Sequence, residues 1–285
     1  MCHTLRLMLL LLLCAGLLTA CSTTRLAYNQ AHWLVSWQLG GYLDLDWGQR
    51  AQLRDEVREL RAWHRATQLD AYAEDLHWLA ERIENRDFDR AALEEAIARA
   101  NAHVAELVER ALPHAVAVLR SMSDAQLAEL QRRLAADLEK ALAEGGDTEL
   151  EDWREQASAD MIEALRDWVG PLEADQRARI ARWAQQRQAR PGMWRARRKA
   201  AMEEAFRLLA DRHEADFLAR VEAFLAEHTE RRPRALREAA AADREAWKAL
   251  MLDLEAGMRP RQRAHLVGAL RGYARDAERL AAAAD

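Results

Sequence analysis

Apolar side chains recur every third or fourth residue through most of this chain, and that period belongs to one kind of secondary structure. Leu53, Val57 and Leu60 step in this way, as do Leu69, Tyr72, Leu76, Leu79 and Ile83. The same step links Leu127, Leu130, Leu134, Leu138 and Leu142, and then Leu266, Leu270, Tyr273, Ala277 and Leu280. An α-helix turns once in about 3.6 residues, so each set forms a single apolar stripe. No run of β-branched residues alternates with polar ones. Half of the 285 residues are apolar and 31% are charged, with only 11 Gly and 5 Pro, the profile of long amphipathic helices.

Interruptions fall at Gly40-Gly41, Asn85-Arg86-Asp87, Ser121, Gly145-Gly146-Asp147, Gly170-Pro171, Pro191-Gly192, Arg232-Pro233 and Gly257 to Pro260. They predict about nine helices: 25–43, 47–84, 89–120, 123–144, 148–169, 173–189, 192–230, 234–256 and 260–282. Pro113 should kink the third. Short connections make neighbouring helices antiparallel, so the expected fold is an all-α, elongated, mostly antiparallel assembly.

The N-terminus has a different character. Arg6 is the only charged residue before Cys21, and an apolar run from Leu7 to Leu18 follows it. That run is short of the ~20 residues a bilayer span needs. A short basic start, a short apolar core and small residues at the end describe a cleavable signal, residues 1–20. Leu18-Thr19-Ala20-Cys21 resembles a lipobox, which implies a mature chain beginning at a diacylglycerol-modified, N-acylated Cys21. More than one acyl chain suffices for stable membrane anchoring. Ser22 rather than Asp after the cysteine implies, by the same resemblance, an outer-membrane location facing the periplasm. Cys2 and Cys14 leave with the signal, so the helical domain, 26–285, carries no disulfide and follows a linker of 21–25. Without Arg6 the 42 basic residues fall to 41 against 47 acidic, an ordinary net charge of −6.

One pattern occurs four times: an apolar residue, three residues, Gln, three residues, an apolar residue. The copies run Leu45–Gln49–Leu53, Met122–Gln126–Leu130, Leu172–Gln176–Ile180 and Met258–Gln262–Leu266, each just after a break. Asp46 and Ser123 are good N-caps, and Gln49 and Gln126 stand three residues on, where a side chain reaches back to the cap N–H. Glu173 and Arg259 are poor caps, so the later two copies look degenerate. The pattern can be read as helix starts and no more. It also resembles the LTxxQ motif of small helical periplasmic proteins of the Spy and CpxP type, although no copy has the Thr. That resemblance implies chaperone or envelope-stress behaviour. The opening Arg25-Leu26-Ala27-Tyr28-Asn29-Gln30 through Trp33, Trp37 and Tyr42, with Trp63-His64-Arg65 and Tyr72, resembles a family of bacterial lipoproteins known only as a domain of unknown function.

Chemistry is sparse. No two histidines lie three or four apart, and His103 and His114 are about 16 Å apart along one helix at 1.5 Å per residue. Glu74 to His77 is a lone Glu-x-x-His, where a di-iron bundle needs two. No serine sits in a glycine-flanked elbow and no glycine-rich phosphate loop exists. No catalytic residue, metal or cofactor is expected. Arg177, Arg179, Arg182, Arg187, Arg190, Arg195, Arg197, Arg198 and Lys199 form a run free of acidic residues, with Trp183 and Trp194 interleaved. In a cell envelope the anions available to it are lipid headgroups, lipopolysaccharide or acidic proteins, not nucleic acid. Ten tryptophans suit core packing between helices, but Tyr28, Trp33, Trp37 and Tyr42 follow the anchor closely and suit a membrane surface. The expectation is a non-enzymatic envelope lipoprotein that binds protein partners in a chaperone-like or stress-related role. The alternative is a structural tether between the membrane and envelope polyanions or an envelope complex. Exposed grooves lined by Leu and Met would favour the first, and a flat basic face the second.

Overall fold

The computed structural model describes residue 28 and residues 30–144, 150–189, 191–227 and 231–283. The proposed signal and Cys21 lie outside the described residues, as does Arg190. All regular structure among the described residues is α-helical: α1 Ala31–Tyr42, α2 Trp47–Thr67, α3 Leu69–Glu84, α4 Arg90–Ser121, α5 Asp124–Glu144, α6 Leu150–Val169, α7 Ala174–Gln186, α8 Pro191–Ala210, α9 Phe217–Glu227, α10 Arg234–Ala256 and α11 Pro260–Ala282. The all-α expectation holds, with eleven described helices in place of about nine.

Two predicted helices are each divided. The stretch 47–84 breaks at Gln68, whose backbone departs to φ −107°. Thr67 Oγ1 bonds back to the Trp63 carbonyl at 2.9 Å, which loosens the local ladder and bends helices. Gln68 N–H still reaches His64 O and Tyr72 N–H reaches Gln68 O, so the two halves remain one bent rod. The stretch 192–230 breaks at residues 211–216, where Asp211-Arg212-His213-Glu214 interrupts the apolar period. There the backbone tightens to i→i−3 bonds, Asp211 N–H to Leu208 O and Arg212 N–H to Leu209 O. Arg212, only 3% exposed, pins this turn. Its Nε and Nη2 donate to Met122 O at 3.0 and 2.9 Å, and Nη2 meets Asp124 at 2.7 Å. Helix α4 continues through Pro113 to Ser121.

Four tight turns organise the chain, α1/α2, α4/α5, α6/α7 and α10/α11: α1 packs along α2 and α6 along α7, whereas α5 packs on α8, α10 on α7 and α11 on α3. Leu45, Leu53, Val118, Met122, Leu127 and Leu130 bury the turns of the first two. Val169, Leu172, Ile180, Trp183, Leu250 and Leu254 form the corresponding core of the last two. Gly170, at φ +74°, takes the left-handed conformation that ends α6. Helix α11 returns along α3, joining the late part of the chain to the early part. Their seam is lined by small residues, Ala73, Ala80, Ala274 and Ala277, which let the backbones approach closely.

Candidate partner-binding site

The repeated glutamines sit at the four turns, and the turns meet in pairs. Gln49 Nε2 donates to Gln126 Oε1 at 3.1 Å, and Gln126 Nε2 returns to Gln49 Oε1 at 2.7 Å. Gln176 and Gln262 exchange the same two bonds, both at 2.9 Å. Each amide's other N–H goes to the partner turn: Gln49 to Ser121 O, Gln126 to Asp44 O, Gln176 to Gly257 O and Gln262 to Pro171 O. Each acceptor carbonyl stands five residues before the partner glutamine. Each Oε1 also accepts the N–H of its own cap residue, Asp46, Ser123, Glu173 or Arg259. The copies at 172 and 258 are therefore not degenerate. Glu173 and Arg259 contribute no side-chain cap, but their glutamines engage as fully as the others. The motif's load falls on the cross-hairpin amide pair, which cap chemistry alone did not reveal.

Two apolar hollows lie among the helices, the second of them touching this framework at Gln176. A groove of about 410 Å³ runs between α3 and α4, over Leu76, Leu79, Ala96, Ala100 and Leu107. Val104 and Val108, on the same stretch of α4, are 59% and 45% exposed. A second hollow of about 430 Å³ is walled by Leu165, Trp168, Trp247, Met251, Met258 and Leu266. Leu76 and Leu79 line both. The polar residues on the second wall already have partners, Gln176 with Gln262 and Glu255 with Arg263.

The groove has one polar end. Asp75 accepts from Arg99 Nη1 and pairs with His103 Nε2, both at 2.7 Å. Burial opposes ionisation of Asp75, but these two hydrogen bonds outweigh it and hold the carboxyl below the usual range. Arg99 also lies over the Trp78 ring, 4.5 Å from its centre. The Tyr72 ring meets His103 edge-on at 4.6 Å, and its hydroxyl is 3.2 Å from His64 Nε2. His64 Nδ1 is 3.0 Å from the Tyr28 hydroxyl. Burial pushes the His64 imidazole below its ordinary pKa, so it is neutral at neutral pH. A continuous line of contacts thus joins residue 28 to the groove. His77, the lone Glu-x-x-His histidine, pairs instead with Glu278 at 2.8 Å.

Sequence reasoning missed Asp75, Arg99 and the groove. Arg99 and His103 stand four apart and share a helix face, but only the packing of α3 on α4 brings Asp75 between them. It also missed a trio with metal-ligand chemistry, Glu56, Glu59 and His114, whose ligating atoms lie within 4.8 Å of one another. His114 Nδ1 is 2.6 Å from Glu56, and the Arg110 guanidinium stands 3.7 Å from Glu59. Arg110 thus offers a cation to Glu59, and the cluster ties α2 to α4.

Among the described residues of the basic run, several side chains are already engaged or buried. Arg177 Nη1 donates to Leu172 O, and Arg179 is tied to Asp253 at 2.8 Å. Arg187 lies over the Trp153 and Trp183 rings at 4.7 and 5.4 Å and faces Asp243. Arg197 is buried, while Arg182, Arg198 and Lys199 are exposed. Arg190 and the Arg195 side chain lie outside what is described.

No curated protein and no solved structure matches the chain. Residues 41–237, more than half of the chain, match the family of unknown function DUF6279, and the chain belongs to that family.

Proposed function

We propose that this protein is a non-enzymatic envelope lipoprotein, anchored through Cys21, that holds the apolar face of a partner protein in the groove between α3 and α4. The observation that carries the reading is the groove itself, about 410 Å³ with an apolar floor and an exposed valine edge. Contiguous exposed apolar surface of this kind marks binding sites more often than it occurs by chance. The second hollow adds Met251 and Met258, flexible side chains that adapt to varied partners. Asp75, Arg99 and His103 at the groove's end are held by one another, an arrangement that suits orientation of a bound segment better than proton transfer. The likeness of the repeated motif to LTxxQ suggests a chaperone-like or stress-related role. The engagement of several basic side chains within the fold favours this reading over a polyanion tether.

The test is crosslinking in intact cells, with wild type compared against Val104→Glu/Val108→Glu. Both positions are exposed, so the substitutions should change stability by no more than about 0.5 kcal/mol. Partner capture should fall at least tenfold in the variant. Equal capture by both would remove the groove from the reading. A Cys21→Ser variant with a secretory signal separates the anchor from the groove.

A further inference from the structure

Helix α1 wears its side chains the wrong way round for a helix of a water-surrounded bundle. Its inner face is small, with Ser36 7% exposed and Gly40 buried beside Arg50. Its outer face is aromatic. Trp33 and Trp37, four residues apart, are 55% and 70% exposed and stack on each other at 6.2 Å. Trp47, at the start of α2, is 82% exposed, and Tyr42 is 36% exposed. From Leu26 to Leu43 no residue carries a formal charge, in a chain where 31% do. Water is a poor solvent for such a surface, and isolated apolar exposure does not explain a stacked indole pair with a third exposed indole at the start of the next helix.

We infer that Trp33, Trp37 and Trp47 seat the protein in the headgroup layer of the membrane that holds its lipid anchor. Indole and phenol rings combine an apolar body with a polar edge and concentrate at membrane interfaces. The position along the chain selects this occupant. Trp33 follows Cys21 by twelve residues, a reach of about 18 Å as helix and at most about 43 Å extended. Either length keeps the patch close to the bilayer in which an acylated Cys21 sits. No described helix is long and apolar enough to cross that bilayer, so the contact is a seat on its surface. Helix α1 packs on α2, so the seat fixes the attitude of the first hairpin relative to the membrane.

The inference rests on the acylation of Cys21 proposed above, and the experiment separates the two. The mature lipidated chain is reconstituted in phosphatidylethanolamine/phosphatidylglycerol vesicles with brominated acyl chains, and tryptophan emission is compared with that in unbrominated vesicles. Wild type should lose a share of emission approaching the three in ten that these residues make up of the tryptophans. Trp33→Ala/Trp37→Ala/Trp47→Ala should lose none, and Trp37→Ala alone should lose an intermediate share, each with an unchanged circular dichroism melt. Unquenched emission from acylated, vesicle-bound wild type overturns the seat and leaves the anchor standing. A patch that instead drives concentration-dependent dimers, abolished in the triple variant, also overturns it. A mass showing no acyl groups on Cys21 overturns the anchor, and the seat with it.

Discussion

A glutamine amide offers two donors and two acceptor sites, and Gln262 uses all four: Pro171 O and Gln176 Oε1 accept, while Arg259 N–H and Gln176 Nε2 donate. Gln176 and Gln262 are each 1% exposed, so either one left alone would be a buried amide without its partner. Gln176→Ala or Gln262→Ala should each cost about 1–3 kcal/mol in urea unfolding. The double variant should cost less than the sum, because the second truncation removes the group the first one orphaned. Fully additive losses would mean that the pair does not act as a unit. Gln49 and Gln126 are less buried and should cost less. His64 gives a second test. Its folded pKa lies below the unfolded value near 6.5, so between the two the unfolded chain binds more protons. Stability is therefore complete above about pH 6.5 and declines as pH falls below it. His64→Gln should flatten that decline in thermal melts taken between pH 7 and 5. The Asp75 carboxyl, held low, loses its contribution only further down, as pH falls through the ordinary carboxylate range and below. Glutamine spacing was plain in the sequence, and so were the caps at Asp46 and Ser123. The pairing was not, because each bond spans 77 or 86 residues and depends on how two hairpins meet.

At the scale of elements, the helical period was legible almost throughout because burial enforces it on one face of each helix. The two divided helices show where that signal fails. Gln68 is buried and keeps its place in the i→i−4 ladder on both sides, so nothing in the sequence around it announces a bend. At residues 211–216 a polar run stands inside what reads as one helix, and the burial of Arg212 against Met122 follows only from how α8 and α4 meet. The α3/α11 seam is the element contact most sensitive to volume. Ala274→Leu, at a site with no exposure, should destabilise by about 1–3 kcal/mol because the added side chain forces the two backbones apart. Differential scanning calorimetry reads the effect as a lowered Tm. The same change at Ala283, past the helix end, should be neutral.

Across the whole molecule, the four helix–turn–helix segments make two similar units, each with two turns tied to each other by a glutamine pair. The first unit joins α1/α2 to α4/α5, and the second joins α6/α7 to α10/α11. The candidate groove and the second hollow share Leu76 and Leu79 on α3, the helix that α11 also embraces. Filling one hollow should therefore be felt in the other. Leu79→Trp, which adds bulk at the shared wall, should weaken partner capture and quench or shift the emission of neighbouring Trp78 and Trp247, read by crosslinking and by fluorescence on the same sample. Neither hollow was visible in sequence, since leucines that line a void carry the same period as leucines that fill a core.

A lock at the turns fixes where two pairs of helices meet and leaves their arms to pack elsewhere, as α11 does along α3 and α10 along α7. The glutamine pairs are thus staples between segments 77 and 86 residues apart in the chain. Each staple ties two turns at once, so the cost of cutting one falls on both segments that it joins.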